Sequence, residues 1–200
     1  MLEAKDIAVL RGEQVVFLGL SFIVSPGEAI LLTGANGAGK STLLRLLAGL
    51  IPLAEGDLTW EGQPVLSDPA AHAARLRYLA HADALKPSLS VEENLRFWAQ
   101  QGGGDIAEAL AAVDLLPLAE LPARLLSAGQ KRRLALARLA LAPVPLWLLD
   151  EPSVGLDTAS IDRFGALLAA HRARGGMVLA ATHVALPLPG ARELRLGRPA

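Results

Sequence analysis

The sequence has no cysteine, which rules out disulfides, thiolate metal sites and thiol chemistry, and suits a reducing compartment. It has no excess of positive charge. Nineteen basic and twenty acidic residues leave a net charge of −1, so nothing points to nucleic acid as a partner. It also lacks a long hydrophobic run. Although 52% of residues are hydrophobic, the longest apolar stretch, Leu139 to Leu149, is eleven residues and holds Pro143 and Pro145, too short to cross a bilayer. Glu3, Lys5, Asp6, Arg11 and Glu13 near the start argue against a signal peptide. No internal repeat or long linker interrupts the 200 residues, so one domain over 1–200 is expected. The apolar excess fits an Ala/Leu-rich core, or a surface that docks onto a membrane partner.

What is present begins with "GANGAGKST", residues 34 to 42, which fits G-x-x-x-x-G-K-[ST] with Gly34, Gly39, Lys40 and Ser41. The apolar run "EAILLT" precedes it. Leu43, Leu46, Leu47 and Leu50 follow at helical spacing, so the context is strand, loop, helix. Glycines let the backbone bend closely around a polyphosphate, and the N–H groups of Ala35, Asn36, Gly37, Ala38 and Gly39 can point inward as a nest. The helix starting near Lys40 adds its positive dipole end. Lys40 can reach the β- and γ-phosphates, Ser41 can ligate magnesium, and Thr42 closes the motif. A glycine-rich turn with a chance lysine is the bland alternative, and the flanking strand and helix weigh against it. The loop alone does not separate a kinase, a GTPase and an ATPase.

Alternating residues 2–10 and 14–24 predict an antiparallel pair turning around Arg11–Glu13, and residues 56–65 a second hairpin at Glu61-Gly62. A helix over 68–76 and a short strand over 77–80 are expected next. Residues 90–116 read as helices broken by "GGG" at 102–104, and 128–141 as a further helix. Strands over 145–150 and 177–182 flank a helix over 158–174, and 191–197 reads as a closing edge strand. The order is that of an α/β core with a helical insertion near 82–135.

Within this frame "LWLLDE" places Asp150 at the end of an apolar strand, where its carboxylate can serve a magnesium ion through water. Glu151 follows and can polarise an attacking water. Such an ending is common by chance. "LLSAGQKRRLALARL" (125–139) is more specific. It resembles the signature of ATP-binding cassette (ABC) ATPases, with Leu126-Ser127-Ala128-Gly129-Gln130 where that family usually has Leu-Ser-Gly-Gly-Gln. The alternative is an ordinary N-capped helix with solvated Lys131, Arg132 and Arg133. His183 in "ATHV" matches the family's switch histidine.

The resemblance covers essentially the whole chain. It implies a P-loop NTPase (RecA-like) nucleotide-binding domain with a small antiparallel β subdomain and a helical insertion. It further implies ATP and Mg2+ as ligands, Glu151 and His183 as catalytic residues, and a head-to-tail homodimer in which Ser127, Gly129 and Gln130 face the other chain's nucleotide. Two departures stand out. Arg11 occupies the place of the family's adenine-stacking aromatic, with Phe17 as the alternative. His81 replaces the switch glutamine, so a metal-side role is expected there by position only. Both departures, with "GGMVLAATHVALPLPGARELRL", resemble the ATP-binding subunit of the haem exporter of cytochrome c maturation. That resemblance implies separate transmembrane subunits and a place on the cytoplasmic face of a bacterial inner membrane. An exporter for another substrate, a non-transport ABC ATPase and a phosphate-loop kinase are the competing readings. His72 and His171 read as solvated or partly buried helix residues.

Overall fold

The computed structural model describes residues 1–12 and 14–197. Glu13, expected in the first turn, and residues 198–200 of the expected domain lie outside them. The chain opens with β1 (Leu2–Arg11) and β2 (Gln14–Val24), an antiparallel pair as the alternation predicts. β3 (Ala29–Thr33) leads through the glycine-rich loop into α1 (Lys40–Leu47). β4 (Glu55–Trp60) and β5 (Gln63–Pro64) make the second hairpin, with β4 paired to β1. The four form an antiparallel sheet in the order β2-β1-β4-β5.

The remaining elements build the α/β part. They are α2 (Pro69–Ala74), β6 (Leu76–Leu79), α3 (Val91–Gly102), α4 (Ile106–Ala112), α5 (Ala128–Leu141), β7 (Leu146–Asp150), α6 (Thr158–Ala173), β8 (Met177–Ala181) and β9 (Arg192–Arg195). Five parallel strands run in the order β6-β7-β8-β3-β9, with β9 at an edge as expected. Capping explains the helix starts. Ser90 and Ser127 each close a capping box with the residue three positions on, and Asp157 caps α6 through the Ser160 N–H. α5 runs to Leu141, the end expected for it, because its apolar face continues that far.

Period-two alternation decides where each strand residue packs. Leu146 and Leu148 of β7, with Leu179 and Ala181 of β8, face α1 and the antiparallel sheet. Trp147 and Leu149, with Val178 and Ala180, face α3, α4, α5 and α6. Every residue of β7 and β8 is buried, which is why both read as continuous apolar runs. The parallel strands all point their carboxyl ends the same way, and loops leaving that edge hold the chemistry. Among the described residues no helix is long and apolar enough to cross a membrane.

Candidate functional site

At the carboxyl edge of the parallel sheet lies a cleft of about 750 Å3, room enough for a nucleotide. The loop between β3 and α1 forms its floor. Gly34 takes φ 137° and Gly39 φ 99°, both awkward for any side chain. A Cβ at Gly39 would also lie 2.7 Å from Val16 Cγ1 and 3.2 Å from Phe17 Cδ1, so the loop presses on β2 at that point. Asn36, Gly37, Gly39 and Thr42 face the cleft, whereas Ala38 is buried beneath it and turns back onto the Ala35 carbonyl.

Lys40 folds over this loop. Its Nζ donates to the Gly34 carbonyl at 2.8 Å and the Ala35 carbonyl at 3.1 Å, with only 8% of the residue exposed. A cation held there, at the start of α1, faces whatever anion the backbone N–H groups receive. The Ser41 hydroxyl donates to Asp150 Oδ1 at 3.0 Å, and Asp150 is buried at the end of β7. This all-oxygen pair fits a magnesium ion, which takes one or two protein oxygens and fills its remaining positions with phosphate and water. Such an ion needs no cluster of three His, Cys, Asp or Glu side chains, and none occurs among the described residues.

Glu151 follows with φ 50°, a left-handed conformation that costs about 1–3 kcal/mol in a residue of this type and persists only when the surroundings impose it. Its N–H donates to the Ala181 carbonyl at 2.8 Å. The carboxylate accepts the His183 backbone N–H at 3.2 Å, and His183 Nε2 lies 3.6 Å from its other oxygen. The ends of β7 and β8 thus bring Glu151 and His183 together beside the phosphate loop. His81, leaving β6, lines the same cleft.

Arg11 lines the far side, beside Gln14, Val15 and Val16, which the sequence did not single out. They are the inner edge of the first hairpin, and only its register onto the loop reveals them. Phe17 is 3% exposed and belongs to the core, so the structure offers Arg11 to the cleft and not Phe17.

Ser127, Gly129 and Gln130 do not line the cleft. Ser127 Oγ accepts the Gln130 N–H at 3.2 Å, and Gln130 Oε1 accepts the Ser127 N–H at 2.8 Å, at the mouth of α5. Gly129 packs on the other side, where a Cβ would lie 3.1 Å from the Gly155 carbonyl. Two neighbours on α5 count against the alternative of an ordinary helix with solvated basic residues. Arg132 is buried, and Arg133 Nη1 donates to the Val113 and Asp114 carbonyls, each at 3.1 Å. His72 and His171 are likewise buried, 2% and 3% exposed, against the solvated or partly buried reading.

Residues 17–154 match the ABC transporter family, which spans well over half of the chain. The chain belongs to that family. It is an ABC-type ATPase domain by descent, as the signature implied. It is 54% identical to the cytochrome c biogenesis ATP-binding export protein CcmA of Paramagnetospirillum magneticum, over 96% of this chain and 92% of that one. A protein of the same name from Rhodopseudomonas palustris is 50% identical over 98% of both chains. Among solved structures, an ATP-binding subunit of an ABC transporter superposes with TM-score 0.83 at 27% identity, covering 92% of this chain and 80% of that one. A Pyrococcus furiosus ABC transporter ATP-binding protein, at 23% identity and TM-score 0.82 over 98% and 96%, shares the fold.

Proposed function

We propose that the cleft binds and hydrolyses ATP with magnesium, as the motor subunit of a transporter that exports haem for c-type cytochrome biogenesis. The observation that carries the catalytic part is the meeting of Lys40, the Ser41–Asp150 pair and the Glu151–His183 pair at one edge of the sheet. The loop amides from Ala35 to Gly39 and Lys40 receive the phosphates, with Thr42 at their edge. Ser41 and Asp150 would hold the magnesium ion, with His81 at its rim. When bound, that ion neutralises charge on the β- and γ-phosphate oxygens. Glu151 takes a proton from the attacking water, and His183, beside it, meets the γ-phosphate. Arg11 lays its guanidinium plane on the adenine.

Ser127, Gly129 and Gln130 stand away from this cleft, which supports a head-to-tail homodimer in which they complete the site of the opposite chain. Separate transmembrane subunits would supply the path. A second, more apolar cleft of about 650 Å3, between α2 and β6 on one side and α3 and α5 on the other, suits their docking. The assembly would sit on the cytoplasmic face of a bacterial inner membrane. The haem assignment rests on the similarity to cytochrome c biogenesis export proteins. Deleting the gene should abolish holo c-type cytochromes and spare b-type ones, and a Lys40→Ala copy should not rescue. Normal c-type cytochromes in a strain with no second copy would sink the haem assignment and leave the ATPase standing.

A further inference from the structure

Arg132 lies just over one turn into α5, five residues beyond Ser127, and is 4% exposed. Its guanidinium reaches two separate stretches of chain. On one side Nε donates to the Pro152 carbonyl at 3.0 Å, and Nη2 donates to the carbonyls of Asp150 at 3.1 Å and Glu151 at 2.6 Å. On the other side Nη1 donates to Asp83 Oδ1 at 2.7 Å, with the Ala80 carbonyl at 3.3 Å and the His81 carbonyl at 3.5 Å. One side chain therefore binds the turn that carries Glu151 and the segment that carries His81 to the helix that starts at the signature. The Glu151 backbone is left-handed, and its carbonyl takes the shortest of these bonds.

We propose that Arg132 is a positioning residue for hydrolysis, fixing the Glu151 turn and the His81 segment to α5 so that the carboxylate is presented to the attacking water. This rests on the reading of Glu151 as the base. Arginine suits the task because its five N–H groups form a rigid planar fork that can serve two sides at once. A lysine carries its three donors on one atom and can hold only one side. Asp83 faces the fork as its one carboxylate partner among the described residues, which fixes the rotamer of the guanidinium. None of the acceptors belongs to the phosphate loop. The Asp150 carbonyl is one of them, but the Asp150 carboxylate stays held by Ser41, so loss of the fork should disturb the base and leave the loop's grip on the phosphates.

The test is steady-state ATP hydrolysis by the full-length protein carrying Arg132→Lys, with ATP binding and thermal unfolding measured alongside. The expected result is a fall in kcat of about tenfold or more with KM within about twofold of wild type. Should Arg132→Lys fail to fold, Asp83→Asn decides. Its side chain is 29% exposed, it keeps an acceptor, and it should lower kcat roughly three- to fivefold, again with KM held. Wild-type kcat in the deciding variant would overturn the proposal. So would losses in kcat and KM that move together with a lowered melting temperature, which is what a merely structural arginine gives. Glu151→Gln separates the two readings. If Glu151→Gln is slow and Arg132→Lys is normal, only the arginine proposal falls; wild-type turnover in Glu151→Gln removes the base assignment itself.

Discussion

The Ser41 hydroxyl donates to Asp150 Oδ1 at 3.0 Å across 109 residues of sequence, tying the first turn of α1 to the end of β7. Phosphate loop and acidic strand end are thereby tied in register. If the pair holds magnesium, chelating divalent cations should abolish hydrolysis. Asp150→Asn should lower kcat by roughly 100-fold, the scale of losing one preorganised electrostatic group. Ser41→Ala should cost less, since water can take the hydroxyl's place. Hydrolysis that persists in excess chelator would refute the pair's role.

Glu151→Gln keeps the shape of the side chain and removes its capacity to accept a proton. Turnover should fall about 10²–10⁴-fold while ATP binding survives, so the variant should accumulate as an ATP-bound dimer on size-exclusion chromatography. Lys40→Ala should behave in the opposite way and bind triphosphate poorly, because it removes the cation that folds over the loop. Equal binding defects in the two variants would contradict this division of labour.

If Ser127 and Gly129, which lie outside the cleft of their own chain, complete the site of the opposite chain, hydrolysis should rise steeply with protein concentration. Mixing Ser127→Arg chains with Lys40→Ala chains should restore one intact composite site in each mixed dimer. Activity in the mixture should approach half that of the mixed-dimer population made wild type. If both variants fold and associate and no ratio recovers activity, the sites are not shared.

Arg11 is exposed at the cleft's rim and meets no ion-pair partner among the described residues. Stacked on a base, its guanidinium would contribute roughly 0.5–2 kcal/mol. Arg11→Ala should weaken ATP binding by that amount in a titration with a fluorescent nucleotide. Arg11→Tyr should restore most of it, since either plane can stack. An Arg11→Ala affinity equal to wild type would take Arg11 off the adenine.

Much of this arrangement was legible from local pattern. The phosphate loop, the buried runs of β7 and β8 and the start of α5 are each written within a dozen neighbouring residues, because caps, turns and periodicity are local physics. Arg132 was not, although Ala135, Leu136 and Leu139 share its face of α5 and mark that face as buried. What keeps an arginine on a buried face is a set of carbonyls from residues 80–81 and 150–152, and nothing local announces them. Gln14, Val15 and Val16 escaped for a like reason. Their place in the cleft depends on β2 lying against Gly39, a contact between elements.

His171 is the other long-range case, and it makes the protein's stability depend on acidity. Its ring lies flat on Trp147, centroids 3.8 Å apart and planes 6° from parallel. Nε2 faces the Met177 carbonyl at 3.2 Å, which requires that nitrogen to carry the hydrogen. Gly176 is bare because any Cβ there would collide with the ring. Burial is the main cause that lowers the His171 pKa from 6.5 to about 4, partly offset by the Met177 carbonyl and helped by Arg174. A group whose folded pKa is depressed leaves the native state holding fewer protons than the unfolded chain between those two values. Stability is therefore complete above pH 6.5, declines as the pH falls toward 4, and loses nothing more from this group below that. At ~1.4 kcal/mol for each pH unit the whole loss is about 3 kcal/mol. His72, buried with its pKa lowered chiefly by desolvation, pushes in the same direction. Urea unfolding at pH 7, 5.5 and 4.5 should show this decline in the wild type. In His171→Phe, which can keep the stack on Trp147 but cannot titrate, the curve should be flatter, so the two proteins converge as the pH drops. Parallel curves for the two proteins would mean that His171 is not the group responsible.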